Sequence, residues 1–311
     1  MKGLIIINAY PNGEKFIRQA ERIATELREL GCETGVIKNG EVFAVIDENG
    51  NASVRLTENY DFAVYLDKDK YLGKALEQQG LRLFNPANSI EICDDKTLTY
   101  LALQNAGVKV VKTIPAPLCY TPNATVNPDF LKGVEQELSY PIVVKKSYGS
   151  FGAGVNLAKD RQELEKLANE CIREPHCYQA FVQESAGQDI RVIVIGGKAV
   201  AAMERVAKDG EFRSNIELGG EGKAFDLPQD YAKTAEKAAK ALRLDYCGVD
   251  LLRGKDGAVV CEVNSNAFFE GLESATGYNV AKAYAEYIIG AIADKSGICK
   301  GIKKILDKQR I

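Results

Sequence analysis

Apolar residues run unbroken through Leu4-Ile5-Ile6-Ile7, then recur every three or four positions at Ile17, Ala20, Ile23, Ala24, Leu27 and Leu30. This predicts a buried strand over 4–8, a loop over 9–13 and an amphipathic helix over 15–30 that stops at Gly31. Strands over 35–38 and 42–46 lead into the turn Asp47-Glu48-Asn49-Gly50. A strand over 62–66, a helix over 71–80 and a strand over 81–84 follow. Such βα alternation predicts a small open parallel sheet. Asn88-Ser89 then reads as a cap, with a helix over 95–105 ended by Ala106-Gly107. A proline-rich stretch separates it from a strand over 141–146, which runs into a glycine-rich loop. A helix over 161–172 starts from Asp160. From there the pattern turns antiparallel. A strand over 179–183 is followed by strands over 190–195 and 198–205 about Gly196-Gly197, a hairpin signal. A helix over 231–242 precedes strands over 248–252 and 258–263, joined by Gly254-Lys255-Asp256-Gly257. A helix over 280–293 closes the series. The expected fold class is mixed α/β (α+β). Its units are 1–88, 89–186 and 187–296, with a basic, weakly amphipathic tail over 297–311 read as a peripheral helix.

Composition narrows the function. A chain of 311 residues with 46% hydrophobic and 27% charged positions builds a packed core of two to three structural units. Its net charge of −3 argues against binding DNA through bulk electrostatics. No apolar run reaches the roughly 18 residues of a membrane span. The N-terminal segment also lacks the long apolar region and small-residue cleavage site of a signal peptide. Eight cysteines without a C-x-x-C pair read as reduced thiols, so a cytoplasmic location is expected. His176 is the only histidine, which argues against a histidine metal site or a Ser-His-Asp triad.

Four segments carry candidate chemistry. In Lys145-Lys146-Ser147-Tyr148-Gly149-Ser150-Phe151-Gly152-Ala153-Gly154-Val155, a strand-ending lysine precedes glycines that would let backbone N–H groups wrap phosphate oxygens. It is not a Walker A loop, and an ordinary hairpin has the same composition. Asp250 and the pair Glu262 and Asn264 fall on neighbouring strands, where alternation puts Glu262 and Asn264 on one face. An all-oxygen set of this kind suits a hard cation such as Mg²⁺. Gln179-Ala180-Phe181-Val182 followed by Gly187-Gln188-Asp189-Ile190-Arg191 offers an apolar edge and acids for adenine and ribose, but alone it is indistinguishable from a strand and turn. Arg205 and the run Phe212-Arg213-Ser214-Asn215 offer cations for phosphate or carboxylate, as a surface loop also would.

Taken in order, these segments resemble the ATP-grasp superfamily, and within it the RimK-type α-L-glutamate ligases. The resembling text runs from Asp94-Asp95-Lys96 through the segments above, with Ala201-Ala202-Met203-Glu204-Arg205 and Gly248-Val249-Asp250, to Glu270-Gly271-Leu272-Glu273, about residues 90–290. The resemblance implies an ATP-grasp fold behind a small N-terminal parallel α/β domain, with a lid and central section over 89–186 and a metal-site section over 187–296. The implied activity is an ADP-forming ligase that joins a carboxylate to an amine through an acyl phosphate, adding glutamate or another amino acid to a small-molecule or peptide acceptor. The runner-up is a nucleotide-binding regulatory protein that has lost catalysis. Lys96, Lys145 and the loop positions Gly149, Ser150, Gly152 and Gly154 would meet the phosphates of ATP. Gln179, Ala180, Phe181 and Val182 would seat adenine, and Asp189 the ribose side. Arg213, Asn215 and Arg205 would act on the transferred phosphoryl group. Asp250, Glu262 and Asn264 would hold Mg²⁺ or Mn²⁺, two ions being expected. Monomer and homo-oligomer both stay open.

The chain departs from the family pattern in three places. Ala180 stands where glutamate is usual, Ser265-Asn266-Ala267-Phe268-Phe269 replaces a proline-containing segment, and Tyr65-Leu66-Asp67-Lys68-Asp69-Lys70 replaces an arginine-containing acceptor segment. The last two fall where acceptor and acyl donor should bind. The mixed signs of Asp67, Lys68, Asp69 and Lys70 suit a small zwitterion better than a polyacidic peptide, although a solvated loop has the same composition.

Overall fold

The computed structural model describes residues 1–10, 13–149, 152–208, 211–214 and 219–295. The tail over 297–311 therefore lies outside the described residues. Three sheets organise the chain.

The first is built from β1 (Lys2–Ile7), β2 (Glu33–Lys38), β5 (Phe62–Leu66) and β6 (Arg82–Phe84), all parallel in the order β2-β1-β5-β6. The hairpin of β3 (Ala44–Ile46) and β4 (Ala52–Val54) lies beside it. The expected strand over 42–46 begins late because residues Asn39–Glu41 form a 3-10 turn. Helix α1 (Glu14–Glu29) packs Ala20, Ile23, Ala24 and Leu27 on one face of the sheet while Ile17, expected in the stripe, is exposed, and α2 (Lys70–Gln78) covers the other face.

The helix expected over 95–105 is α4 (Lys96–Ala102), and a further helix, α3 (Ala87–Asp94), precedes it. Asp95 divides them, because its carboxylate accepts the N–H groups of Thr97 and Leu98 and starts α4. Asn88-Ser89 is not a cap: both residues lie inside α3, and the Ser89 hydroxyl donates to the Arg243 carbonyl.

The second sheet runs β7-β10-β8-β9, from β7 (Thr113–Pro115), β8 (Ile142–Lys146), β9 (Val155–Ala158) and β10 (His176–Ala180). Helices α5 (Pro128–Leu138) and α6 (Arg161–Cys171) bury one of its faces. The proline-rich stretch hides α5, where Asn127 caps the helix and Pro128 fills its first turn. The strand expected over 179–183 starts earlier, because β8 pairs with it from His176 to Ala180. His176 is structural: Nδ1 bonds the Glu174 carbonyl at 2.8 Å and Nε2 the Tyr178 hydroxyl at 3.0 Å.

The third sheet is antiparallel, β13-β12-β11-β14-β15, from β11 (Gln188–Ile195), β12 (Lys198–Val206), β13 (Glu221–Ala224), β14 (Tyr246–Gly254) and β15 (Gly257–Asn264). Helix α7 (Gln229–Ala241) covers one face. Its other face shares a core with β1, α1, the short α8 (Glu270–Thr276) and α9 (Val280–Lys295). No helix among the described residues is long and apolar enough to cross a membrane.

One side chain ties the first sheet to the third. Asn85, 2% exposed, donates to the Tyr246 and Ser265 carbonyls at 2.8 Å each and accepts the N–H groups of Asp245 and Tyr246 at 2.7 and 3.0 Å. Its amide thereby uses both donors and both acceptor positions. Arg82 adds a two-oxygen clamp on Asp245 at 2.6 and 2.7 Å. Asn85→Ala strands four buried backbone groups and is expected to lower unfolding stability by roughly 3 kcal/mol or more. Asn85→Asp should fail similarly, since a carboxylate cannot donate to two carbonyls. Urea denaturation of the two variants checks this; a midpoint like that of the parent chain would refute it.

Candidate active site

Four neighbouring strands of the third sheet bring charged residues into one row. Asp189 on β11 stands opposite Arg205 on β12, Arg191 on β11 opposite Asp250 on β14, and Asp250 opposite Glu262 on β15. Arg191 clamps Asp250, Nε to Oδ1 and Nη2 to Oδ2, both at 2.7 Å. Arg205 clamps Asp189 at 2.6 and 2.5 Å, and its Nη2 also lies 3.0 Å from Asp250 Oδ2. Asp250 is 4% exposed and Arg205 3%. Charges buried this far persist only when paired. Burial pushes the Asp250 carboxyl up, and the two guanidiniums override it and hold the group well below the usual carboxylate range. Burial likewise opposes the charge on Arg205, which Asp250 and Asp189 hold in place.

Two lysines face this row from the other side. The Asp95 cap starts α4 at Lys96, whose N–H donates to the Ser147 carbonyl at 3.1 Å. The Lys96 ammonium then lies 3.1 Å from the Gly149 carbonyl oxygen and 3.6 Å from Glu262 Oε1. Lys145 on β8 is buried, with Nζ 3.5 Å from Cys261 Sγ. Burial opposes its charge, but Cys261, Tyr100 and Glu262 lift the ammonium above its ordinary value.

A cavity between the second and third sheets collects most of the candidate residues. Lys96, Lys145, Gly149, Gly152, Gln179, Ala180, Phe181, Val182, Asp189, Arg205, Arg213, Asp250 and Glu262 all line it. Arg213 donates to both Glu211 oxygens at 3.0 and 2.8 Å and to the Gly152 carbonyl at 3.2 Å, tying its segment to the glycine-rich loop. Hydrogen bonding from Arg213, against a small burial penalty, holds the Glu211 carboxyl down to about 2. Gly154 does not line the cavity. It closes the turn: its carbonyl accepts the Lys146 N–H at 3.0 Å, and with φ at 75° a Cβ there would press on the Lys146 stem. Ser150 and Asn215 lie outside the described residues.

A second cavity opens from the same wall, sharing Gly149, Arg205 and Glu262, and reaches the first sheet. Asn264 lines this second cavity, not the first, with its amide nitrogen 3.4 Å from Asp250 Oδ2. The run from Asp67 to Lys70 divides in use. Asp69 caps α2, Lys70 pairs with Glu91 at 3.0 Å and Lys68 pairs with Asp94. Asp67 and Lys68 line the cavity.

Two residues at the site carried no role in the sequence reading. Arg191 could have been found from Asp189-Ile190-Arg191, since alternation puts both charges on one face. Cys261 carried no cue in the sequence: a register shift between Asp250 and Leu251 leaves it without a partner position on β14, and it lines the cavity beside Lys145.

Asp250, Glu262 and Asn264 also fit a hard divalent cation by their donor chemistry. They supply carboxylate and amide oxygens from adjacent strands, and Asp250 Oδ1 accepts only the Arg191 Nε bond, which leaves it a lone pair.

A family model for the RimK-like ATP-grasp domain matches residues 93–288, which include the second and third sheets. Beta-citrylglutamate synthase B of Danio rerio is 34% identical over 236 residues, covering 75% of this chain and 56% of that protein. The alignment thus spans little more than half of that relative. A probable alpha-L-glutamate ligase of Thioalkalivibrio sulfidiphilus is 37% identical over 218 residues, 69% of each chain. Among solved structures, the ATP-grasp ligase PsnB complexed with a phosphomimetic variant of its minimal precursor, Mg and ADP has a TM-score of 0.68 at 17% identity, covering 93% of this chain and 98% of that one. That likeness concerns the fold, which is the ATP-grasp fold. The chain belongs to the RimK-like ATP-grasp family.

Proposed function

We propose that the chain is an ATP-dependent carboxylate–amine ligase. A carboxylate is a poor electrophile; transfer of the γ-phosphoryl group of ATP makes it an acyl phosphate and leaves ADP. A neutral amine then attacks the acyl carbon, the amide C–N bond forms, phosphate departs with the electrons of the C–O bond, and the amine's proton passes to a carboxylate, the departing phosphate or water. One observation carries this reading: two cavities meet at a wall made by Gly149, Arg205 and Glu262. The first suits the nucleotide and the second the groups to be joined, so the phosphoryl group would cross at the shared wall.

Residue roles follow from placement. Lys96 and Lys145 would meet the phosphates, and the backbone from Gln179 to Val182 the adenine, which makes Ala180 tolerable in place of glutamate. Asp189 borders the same cavity on the ribose side while its carboxylate holds Arg205. Arg213, already bonded to the Gly152 carbonyl, would carry the glycine-rich loop toward the transferred group. Phosphoryl transfer asks mainly for positioning and charge neutralisation. Mg²⁺ or Mn²⁺, as two ions, held by Asp250, Glu262 and Asn264 would neutralise the phosphate oxygens when bound. The second sheet with α5 and α6 would close as a lid that keeps water from the acyl phosphate. The names of the relatives favour glutamate as one partner of the new amide, and the mixed charges of Asp67, Lys68, Asp69 and Lys70 favour a free amino acid or short peptide as the acceptor.

A pairwise amino-acid screen with ATP and Mg²⁺, read by phosphate release and product mass, tests the function; ATP hydrolysis with no amide product would overturn it. Glu262→Gln is expected to cut turnover by roughly two orders of magnitude or more while preserving the circular-dichroism spectrum. Unchanged turnover in that variant would remove Glu262 from the site. Lys145→Ala should weaken ATP binding roughly tenfold in calorimetry, and equal affinity would rule out a phosphate contact.

A further inference from the structure

β1 and β5 are adjacent parallel strands, and each hands its next residue, Asn8 and Asp67, to the second cavity. In open parallel sheets, ligands bind at the carboxyl ends of strands. Asp67 is 4% exposed. Its Oδ1 accepts the Asn8 amide at 2.8 Å and the Lys68 N–H at 2.7 Å. Its Oδ2 is buried and has no hydrogen-bond partner among the described residues. Burial pushes this carboxyl up, only partly offset by the Asn8 and Lys68 bonds. A buried carboxylate oxygen left this way costs free energy that a cationic partner would recover.

Charge accounting around the cavity gives the sign of that partner. Arg191 and Arg205 are committed to Asp250 and Asp189, Lys68 pairs with Asp94, and Glu262 faces Lys96. Among the described residues, Asp67 is the acid lining this cavity that has no ion pair to a basic side chain. A divalent cation would need several oxygen donors. Among the described residues, no group of three or more His, Cys, Asp or Glu side chains is placed to give Asp67 such a set, and the oxygen donors suited to a cation, Asp250, Glu262 and Asn264, lie on the third sheet instead. An ammonium needs one acceptor per N–H. Phe16 and Phe268 meet edge-on at 5.0 Å and also line the cavity, lowering the local dielectric and strengthening a charge pair there.

We propose that Asp67 receives the protonated primary amine of the substrate in the second cavity, so that one substrate is a free amino acid or a peptide bearing a free amino terminus. This rests on the ligase reading.

The full chain is titrated with ATP and Mg²⁺, then with each free L-amino acid, a set of dipeptides and their N-acetyl derivatives, by thermal shift and by turnover. At least one free amine should stabilise the parent chain while its N-acetyl form does not. Asp67→Asn should abolish that shift and raise KM for the amine roughly 10- to 100-fold, with KM for ATP within about twofold. Asn8→Ala, which removes one bond that orients Asp67, should raise the same KM by less. Three results would overturn the assignment: an Asp67→Asn variant that binds amines like the parent, N-acetyl forms that bind as well as free amines, or a variant whose Mg²⁺ dependence shifts instead. If ATP binds and no amine stabilises the parent, this proposal fails and the ligase reading stands. If ATP does not bind, the ligase reading fails.

Discussion

Asp250 is a carboxylate buried between two guanidiniums, and the third sheet is arranged around keeping it paired. Removing one partner from a buried ion pair typically costs about 3–5 kcal/mol. Arg191 and Arg205 reach Asp250 from β11 and β12, so the compensation depends on strand register. A one-residue slip would turn either guanidinium to the opposite face and leave the carboxylate bare. The cluster that gives the cavity its charge thus also specifies how β11, β12 and β14 pair.

The two sides of the first cavity are held differently. The third sheet shares a core with β1, α1 and α9, and Asn85 and Arg82 pin the first sheet to it. The second sheet closes its own core with Leu131, Val134, Ile142 and Tyr178. It reaches the third sheet through a short backbone ladder, Val111 to Val260 at 3.3 Å and Val260 to Lys109 at 2.8 Å, and through polar contacts such as Arg213 to Gly152. Apolar packing in a shared core resists rigid-body motion more than a few hydrogen bonds do. This asymmetry favours motion of the second sheet over a fixed third sheet.

Legibility in the sequence followed period. The run Leu4 to Ile7, the stripe from Ile17 to Leu30 and the hairpin about Gly196-Gly197 have unmixed patterns, and the structure shows the elements they predicted. Helix α5 was hidden because Pro128 reads as a breaker until Asn127 is recognised as its cap, and α3 because its start rests on Pro86 rather than a side-chain cap. Lys145 and Asp250, singled out from their residue pattern, and Lys96, implied by the resemblance, line the first cavity as a group. Asn264 was placed with Glu262 by alternation, and the two do line the second cavity together; Asn264 does not reach the first, because the sequence does not say how the sheet ends against its neighbours. In Asp67-Lys68-Asp69-Lys70, charge pattern alone could not separate a helix cap and two ion pairs from one unpaired carboxylate.

The departures from the family pattern then have a physical distribution. Phosphoryl transfer poses the same problem whatever is joined, so the charges around the first cavity have little freedom. Under the proposed function the second cavity need only complement the groups to be joined, and there the chain carries Asp67, Asn266 and Phe268 in segments that depart from the family. Asn266 accepts from Gln19 at 2.9 Å and donates to the Leu66 carbonyl at 2.9 Å, so the altered segment after Asn264 is braced against the end of β5, next to Asp67. The two altered segments are therefore one coupled surface. A substitution in either would shift the position of the Asp67 carboxylate while leaving the Asp250 cluster in place, so under the proposed function amine specificity would change without loss of the proposed nucleotide site.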